Sequence, residues 1–404
     1  MDAVSPVFQG KRVLVGVTGG IAAYKGAELV RLLVNAGADV HVVMTQAATK
    51  FITPLTLETL SGHPVGTEIF TLGAGSSIEH TELGRGIDAA VVAPATADFL
   101  GRLAGGLADE LLLNVLMASH MPVLLCPAMN VEMWVNPLVQ RNVGILKGIV
   151  RYRWLEPDEG ALACRVVGRG RLPDPPRIVR HLARLLSPQD FAGRRVVVTA
   201  GPTREWMDPV RFLSNPSTGR MGYAVAEAAW ERGAQVTLVA GPTELPDPEG
   251  VDVVHVDTTT ELQSAVGRAM AGADVLVMAA APADWRPSVV HTRKLKKGDV
   301  AREIALERTP DVLAQLPRDG AVIVGFAAET GDLATEGREK AIRKRVDLLF
   351  ANHVFKDGGD TGFASATNAG VILDGLGEIV DEVPLLPKPL VAHRLLGHVQ
   401  KRLP

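Results

Sequence analysis

Cysteine is almost absent from this 404-residue sequence: Cys126 and Cys164 are the two. Two thiols make no disulfide framework, which excludes the small stapled secreted scaffolds and suits a reducing compartment such as the cytoplasm. Neither sign of charge is in excess, since 42 Lys and Arg against 45 Asp and Glu leave a formal net charge of −3. Nothing electrostatic therefore points to nucleic acid or to an anionic membrane as a partner. Aromatic residues are scarce at 4%, so the interior has to be built from Val, Leu and Ala. Long hydrophobic runs are missing too. Ile87–Ala97 and Val275–Ala283 are broken by charge or proline and too short to span a bilayer. The opening MDAVSPVFQGKR has no basic stretch followed by an apolar one, and no signal peptide is expected. With 47% hydrophobic and 22% charged residues the chain is not disordered. A soluble cytoplasmic protein of about two or three domains is expected.

Short Val-rich runs recur between longer amphipathic stretches. In the first half they are RVLVGVT (Arg12–Thr18), DVHVVMT (Asp39–Thr45), DAAVVAP (Asp88–Pro94) and PVLLCP (Pro122–Pro127). Continuous apolar runs bounded by Gly or Pro read as strands buried on both faces. Between them, Ala23, Ala27, Val30 and Val34 share one helical face, and so do Leu103, Leu107, Leu111 and Val115. The alternation predicts an α/β fold, a parallel sheet with helices on both sides. After Leu172 comes a Pro-rich turn, a short helix and a polar connector, and RVVVTAG (Arg195–Gly201) opens a second series. QVTLVAG, DVVHV, DVLVMAA and AVIVGFA continue it. The expected boundary lies near Phe191, giving domains 1–190 and 191–404. The phrase AGPT, at Ala200–Thr203 and Ala240–Thr243, reads as a pair of similar strand-end turns.

Ligands of open α/β sheets bind outside the carboxyl ends of the strands. The first strand ends in Thr18-Gly19-Gly20-Ile21 at a helix entry, which suits either a phosphate cradle or a tight turn. It is not the three-glycine dinucleotide fingerprint, which weakens an NAD reading. His80, within SSIEHTELGR, reads on its own as a surface or capping residue at a helix start. Pro94-Ala95-Thr96-Ala97-Asp98 reads as a helix entry. Pro127-Ala128-Met129-Asn130-Val131-Glu132-Met133-Trp134 sets an amide, two thioethers and an indole at a strand end, or is a packed helix start. Cys164 sits in a Gly/Arg-rich loop where a thiol is expected to be exposed, whereas Cys126 inside VLLCP reads as core.

Taken in order, TGGIAAYK, His80, PATAD, PAMNVEMW and a late Cys loop ending in GRLPDP resemble the flavin-dependent cysteine decarboxylases. TAGPTREWMDPVRFLSNPSTGRMG, AAPADWRP, RKLKK and GFAAET resemble phosphopantothenate–cysteine ligase. Together, from about Arg12 to Asp374, the chain is similar to the bacterial bifunctional decarboxylase/ligase family of coenzyme A biosynthesis. The resemblance implies two Rossmann-like domains: an N-terminal flavodoxin-like FMN domain and a C-terminal nucleotide-binding ligase domain. It also implies a reaction order. The C-terminal half joins 4′-phosphopantothenate to L-cysteine, using CTP through an acyl-cytidylate. The N-terminal half oxidises the cysteinyl thiol of 4′-phosphopantothenoylcysteine with FMN to a thioaldehyde that loses carbon dioxide, and the electrons return to give 4′-phosphopantetheine.

By motif position, the resemblance assigns His80 as base, Asn130 as the amide for the substrate carboxylate and Cys164 as proton donor on a flap. Thr18, Gly19, Gly20, Ile21, Thr45, Pro94 and Thr96 become the FMN contacts. In the ligase half, Asn215 turns over the acyl-cytidylate, and Lys294 meets the triphosphate. Met278, Ala279, Ala280, Asp284, Pro310, Asp311, Val312, Leu313, Phe326, Lys340 and Lys344 complete the CTP site, with Lys340 and Lys344 on one helix face. CRVVGRGR follows the Cys where an acidic residue and a second Gly are commoner, Gly219-Arg220 stands for Gly-Lys, and Trp285 for a smaller aromatic. A triphosphate brings a divalent cation, Mg²⁺, with ligands unassigned. The family implies a homo-dodecamer of trimeric decarboxylase cores and ligase dimers. Two rivals are an FMN decarboxylase or flavin prenyltransferase with a separate nucleotide-binding domain, and a non-catalytic nucleotide sensor. The second leaves His80, Asn130 and Cys164 without a reason to occur together.

Overall fold

The computed structural model describes residues 5–69, 84–161, 167–295, 303–316, 318, 320–354 and 361–404, with 161 and 167 by backbone alone. His80 and Cys164 lie outside the described residues. The chain divides into compact units Ser5–Ser187 and Pro188–Pro404. No helix among the described residues is long and apolar enough to cross a membrane.

In the first unit, β1 (Arg12–Val17), β2 (Asp39–Met44), β3 (Ala89–Ala95), β4 (Val123–Pro127) and β5 (Tyr152–Trp154) form one parallel sheet, ordered β2-β1-β3-β4-β5. That is the flavodoxin-like order, with its reversal between β1 and β3. All of β3 and β4 is buried, and all of β1 after Arg12 nearly so. Burial on both faces is why these strands read as unbroken apolar runs. The helices are α1 (Lys25–Asn35), α2 (Pro54–Ser61), α3 (Ala97–Ala104), α4 (Leu111–Met117), α5 (Val131–Val135), α6 (Pro137–Lys147) and α7 (Pro175–Leu186). An antiparallel pair, β6 (Asp158–Ala161) and β7 (Val167–Arg171), brackets the Cys164 segment.

Two helix expectations are corrected. The buried face of α1 is Lys25, Gly26, Leu29, Val30 and Leu33, one position round from the expected stripe; Ala27 and Val34 are half-buried. A 3-10 turn, Ile21–Tyr24, precedes α1 and resets its phase. The Leu103–Val115 stripe is not one helix. Gly106 takes the left-handed φ of +69° and ends α3, leaving Leu107 50% exposed, and α4 restarts at Leu111.

In the second unit, β8 (Arg195–Ala200), β9 (Arg204–Trp206), β10 (Phe212–Ser214), β11 (Gln235–Ala240), β12 (Asp252–His255), β13 (Val275–Met278), β14 (Trp285–Pro287), β15 (Leu306–Arg308), β16 (Val322–Glu329), β17 (Leu348–His353), β18 (Thr367–Asp374) and β19 (Ile379–Pro387) follow. The main sheet runs β12-β11-β8-β13-β16-β17-β18-β19. Its first six strands are parallel in the Rossmann order, and β18 and β19 extend it antiparallel. That edge and the two-stranded arms β9–β10 and β14–β15 were not expected from the sequence.

Helices α8 (Arg220–Glu231) and α11 (Lys388–Gln400) cover one face, packing on Val196, Val198, Leu238, Val277 and Val324. Helices α9 (Thr259–Ala269) and α10 (Leu333–Lys344) cover the other, packing on Val197, Val239, Leu276 and Ile323. Successive β8 residues thus serve opposite layers, the period-2 rule applied to a sheet with two interiors.

Helix α8 meets β8 at Gly222, where an added Cβ would lie 2.5 Å from the Ala200 side chain and 2.6 Å from the Thr199 carbonyl oxygen. Gly222→Ala is therefore expected to destabilise the second unit by about 1–3 kcal/mol, the usual cost of overpacking. Denaturant unfolding measures it, and a wild-type midpoint would contradict this packing.

Candidate functional site

Both units carry their motif residues where the strand order reverses. In the first, the buried Thr18 hydroxyl follows β1 and donates to the Pro94 carbonyl at 2.7 Å; the Thr96 amide donates back to it at 3.1 Å. Thr96 then caps α3, accepting from the Phe99 amide at 3.4 Å. This stitch holds the carboxyl ends of β1 and β3 in register around a cavity of about 1070 Å³. Thr18, Gly19, Gly20, Ile21, Thr45, Pro94, Thr96 and Asn130 all line it. The Thr45–Ala48 turn closes against the TGG loop: an added Cβ on Gly19 would lie 2.3 Å from that of Ala47.

Asn130 caps α5, its Oδ1 accepting from the Glu132 amide at 2.8 Å. The Met129 amide donates to the Gly170 carbonyl at 3.0 Å, which lays β7 against the PAMN turn. The strands flanking the Cys164 segment are thereby anchored beside Asn130. Sequence reasoning missed Lys25, Arg102, Glu110 and Arg171, which also line the cavity. Lys25 is buried, and donates to the Leu172 carbonyl at 3.0 Å and to Asp174 at 2.7 Å. The Lys25 ammonium, outweighing partial burial, holds the Asp174 carboxyl below the usual range. Arg102 pairs with Asp98 and Asp109, while desolvation pushes the Glu110 carboxyl above its ordinary value. A lysine in the first turn of a helix, directly after TGGIAAY, was the available signal for Lys25.

The cavity is lined by the small residues of TGG, by Met129 and Met133, by the cations Lys25, Arg102 and Arg171 and by the carboxylates Asp98, Asp109 and Glu110. The cations and the helix-entry loop suit an anionic cofactor. Among the described residues, one group of three side chains has metal-binding spacing: Asp39, His41 and His63. Arg12 already lies 3.3 Å from Asp39 and 3.2 Å from the His41 Nε2, and Asp39 begins β2, at the end opposite the cavity.

In the second unit the reversal falls between β8 and β13. The Ala280 amide donates to the buried Thr199 hydroxyl at 3.0 Å, and the Ala281 amide to the Gly201 carbonyl at 2.9 Å. Asn215, half-buried, donates through Nδ2 to the carbonyls of Ala281 and Pro282 at 3.2 and 3.0 Å, directly after Met278–Ala280. The Thr309 hydroxyl donates to the Ala283 carbonyl at 2.6 Å, and its amide to the Asp284 carbonyl at 3.1 Å, which brings Pro310–Leu313 beside Asp284. Asp311 pairs with Lys344 at 2.6 Å, and Glu329 with Lys340 at 3.1 Å. Against partial burial, Lys344 and the Ala314 amide hold the Asp311 carboxyl low. Phe326 lies on β16 with its ring 5.5 Å from that of Phe350. Lys294 is exposed and makes no ion pair among the described residues. Hydrogen bonds thus link Asn215 to the segment after Met278–Ala280 and Asp284 to Thr309 beside Pro310–Leu313, and an ion pair links Asp311 to Lys344. Among the described residues, no hydrogen bond or ion pair joins the side chains of Lys294 and Phe326 to this run.

A family model described as Flavoprotein matches residues 4–187, and one described as DNA/pantothenate metabolism flavoprotein C-terminal domain matches residues 191–403. The chain is similar to the coenzyme A biosynthesis bifunctional protein CoaBC of Vibrio cholerae, 41% identical over 98% of this chain and 99% of the relative. It is also similar to those of Bacillus subtilis, 41% identical over 97% of each, and Mycobacterium bovis, 47% identical over 90% of each. Among solved structures, the C-terminal domain of a coenzyme A biosynthesis bifunctional protein CoaBC is 38% identical and covers 53% of this chain and 97% of that one, with a TM-score of 0.44.

One buried cation beside the second site gives a pH test. Lys388, 3% exposed, donates to the Gly362 and Phe363 carbonyls at 2.9 and 3.3 Å, and Phe363 also accepts from the Thr218 hydroxyl at 2.6 Å. Burial, with help from Arg220, drives this amine down to about 8. An ordinary lysine titrates near about 10.4, so between those values the unfolded chain binds the extra proton and stability rises with pH. Between pH 7.5 and 9.5 the urea midpoint of the wild type should climb relative to Lys388→Met. Parallel curves would contradict the shift.

Proposed function

The chain belongs to the family of bifunctional coenzyme A biosynthesis proteins, with a flavoprotein decarboxylase half and a ligase half, and from that premise we propose how its own residues divide the work. Residues 1–190 decarboxylate 4′-phosphopantothenoylcysteine, and residues 191–404 make it from 4′-phosphopantothenate and L-cysteine with CTP. The observation that carries the first assignment is the single cavity lined by Thr18, Gly19, Gly20, Ile21, Thr45, Pro94, Thr96 and Asn130 together. FMN is the cofactor for that cavity; when bound it supplies the two-electron acceptor and donor. The Thr18–Ile21 loop and Thr96 would hold the cofactor, with Thr45 and Pro94 beside it. The Asn130 amide receives the substrate carboxylate. His80 takes the thiol proton, a task suited to imidazole near neutral pH, and Cys164 returns a proton in the closing half-reaction.

In the ligase half, Lys294, Lys340 and Lys344 neutralise the triphosphate while the 4′-phosphopantothenate carboxylate attacks the α-phosphorus and pyrophosphate leaves. Asp284 reads the base, with Met278–Ala280, Pro310–Leu313 and Phe326 around the nucleotide. Asn215 orients the acyl-cytidylate for attack by the cysteine amine, and CMP leaves. Mg²⁺ arrives with the triphosphate, as it usually does when substrate phosphates supply its ligands. A cytoplasmic homo-dodecamer is the proposed working form. A flavin decarboxylase or prenyltransferase alone leaves residues 191–404 without a task.

The test is CTP-dependent pyrophosphate release followed by carbon dioxide evolution from the yellow, purified protein. Cys164→Ser should still evolve carbon dioxide while 4′-phosphopantetheine fails to appear and an oxidised enethiol accumulates; wild-type yields would assign the thiol no part. Asn215→Asp should release pyrophosphate and stall with acyl-cytidylate bound, visible by mass spectrometry with and without cysteine. Lys294→Gln should lose the first step by roughly 10²–10³ in rate, the usual cost of one electrostatic donor. Failure of both variants at the same step would refute the division of roles.

A further inference from the structure

One side chain that the proposed chemistry does not use ties its two key loops together. Asp208, between β9 and β10, is 1% exposed, yet its carboxylate accepts five hydrogen bonds. Oδ1 accepts from the amides of Val210 and Arg211 at 2.8 and 2.9 Å. Oδ2 accepts from Arg211 Nε and Nη2 at 2.9 and 2.6 Å, and from the Leu295 amide at 3.2 Å. Arg211 Nη2 then donates to the Leu295 carbonyl at 2.9 Å, so both backbone groups of Leu295 are held. The His291 amide adds a bond to the Met207 carbonyl at 2.9 Å. Leu295 is the immediate neighbour of Lys294, which itself has no partner among the described residues. On the other side of the clamp, β10 runs directly into Asn215.

A buried carboxylate without partners is costly, whereas one with a bidentate guanidinium and three amides is satisfied and rigid. Burial by itself would raise its pKa, but the Arg211 guanidinium and the amides hold it far below the ordinary carboxylate range, so the clamp stays charged. The arrangement spans 87 residues of sequence and converges on the two segments that differ in proposed role.

We propose that Asp208 is a positioning residue of the ligase: through Leu295 it aims Lys294, and through β10 it sets the Asn215 loop against the same site. This rests on the reading of residues 191–404 as a CTP-dependent ligase. Displacing a reacting group by about 1 Å costs of the order of 10²-fold in rate, so a loosened Lys294 should register first as poor use of CTP.

Asp208→Asn in the full-length protein keeps the shape of the side chain and removes its charge. Pyrophosphate release should fall about tenfold or more in kcat/KM, with KM for CTP raised. Decarboxylation of supplied 4′-phosphopantothenoylcysteine, run on the same preparation, should stay within about twofold of wild type. Leu295→Pro deletes the amide that ties Leu295 to the clamp, although it also fixes φ there and restricts Lys294 before it. It leaves the Asp208–Arg211 pair intact and should also raise KM for CTP. A wild type that releases no pyrophosphate from CTP removes the ligase reading and this inference with it. An active wild type with both variants at wild-type KM for CTP overturns the inference alone, as does a loss that tracks only the folded fraction.

Discussion

A buried threonine hydroxyl at the end of the first strand is the interaction on which each half depends. Thr18 bridges β1 to the loop after β3, and Thr199 bridges β8 to the loop after β13. In both sheets these are the adjacent strands whose connections leave in opposite directions, so the helices diverge and a crevice opens above the strand ends. A crevice is useful only if its two lips keep a fixed separation. A hydroxyl on one lip can both donate to the other and accept from it, as Thr18 does with the Pro94 carbonyl and the Thr96 amide.

The scarcity of aromatic residues follows from how those strands are buried. A strand packed on both faces, with helices close on each side, leaves room for Val and Ala but seldom for a ring. Gly222 against Ala200, and Gly16 against Leu112 at 2.8 Å, mark where even a methyl is too much. Such proximity brings helix N-termini down to the strand ends, where backbone amides can meet a phosphate. Sequence composition, packing distance and anion binding are in this sense one constraint.

Most of the parallel strands were legible because double burial writes an unbroken apolar run; β5 and β17 were not read from the sequence. What surrounds them was less so. The α1 stripe was displaced by a 3-10 turn that no periodicity records, and the Leu107 position was lost to a left-handed glycine. The antiparallel edge β18–β19 buries only Asn368, Ile372, Leu373 and Val383, and β19 carries Asp381 and Glu382, so it lacked the unbroken apolar run of the central strands. Of the candidate sites, the TGG, PATAD and PAMN residues line one cavity at the first reversal, and Asn215 bonds to the loop after β13 at the second. Among the described residues, no hydrogen bond or ion pair joins the side chains of Lys294 and Phe326 to either. Lys25 and Asp208 did not stand out, because their meaning lies in partners 149 and 87 residues away. His80 and Cys164 were legible from resemblance alone and fall outside the described residues.

The lysines of the second site divide by what they now touch. Lys340 and Lys344 rest on Glu329 and Asp311, each pair part-exposed. Pairs of that kind contribute about 0–1 kcal/mol, so on the proposed ligase reading a polyanion arriving at this end of the sheet would displace those carboxylates at little cost. The carboxylates keep the lysine heads near the site until then. Lys294 has no such place-holder among the described residues; what is held beside it is the main chain of Leu295. Two cations are thus held by exchangeable side-chain partners and the third by a rigid main chain. On the proposed ligase reading, the division suits a site in which two charges bind the nucleotide and one is aimed at the phosphorus under attack.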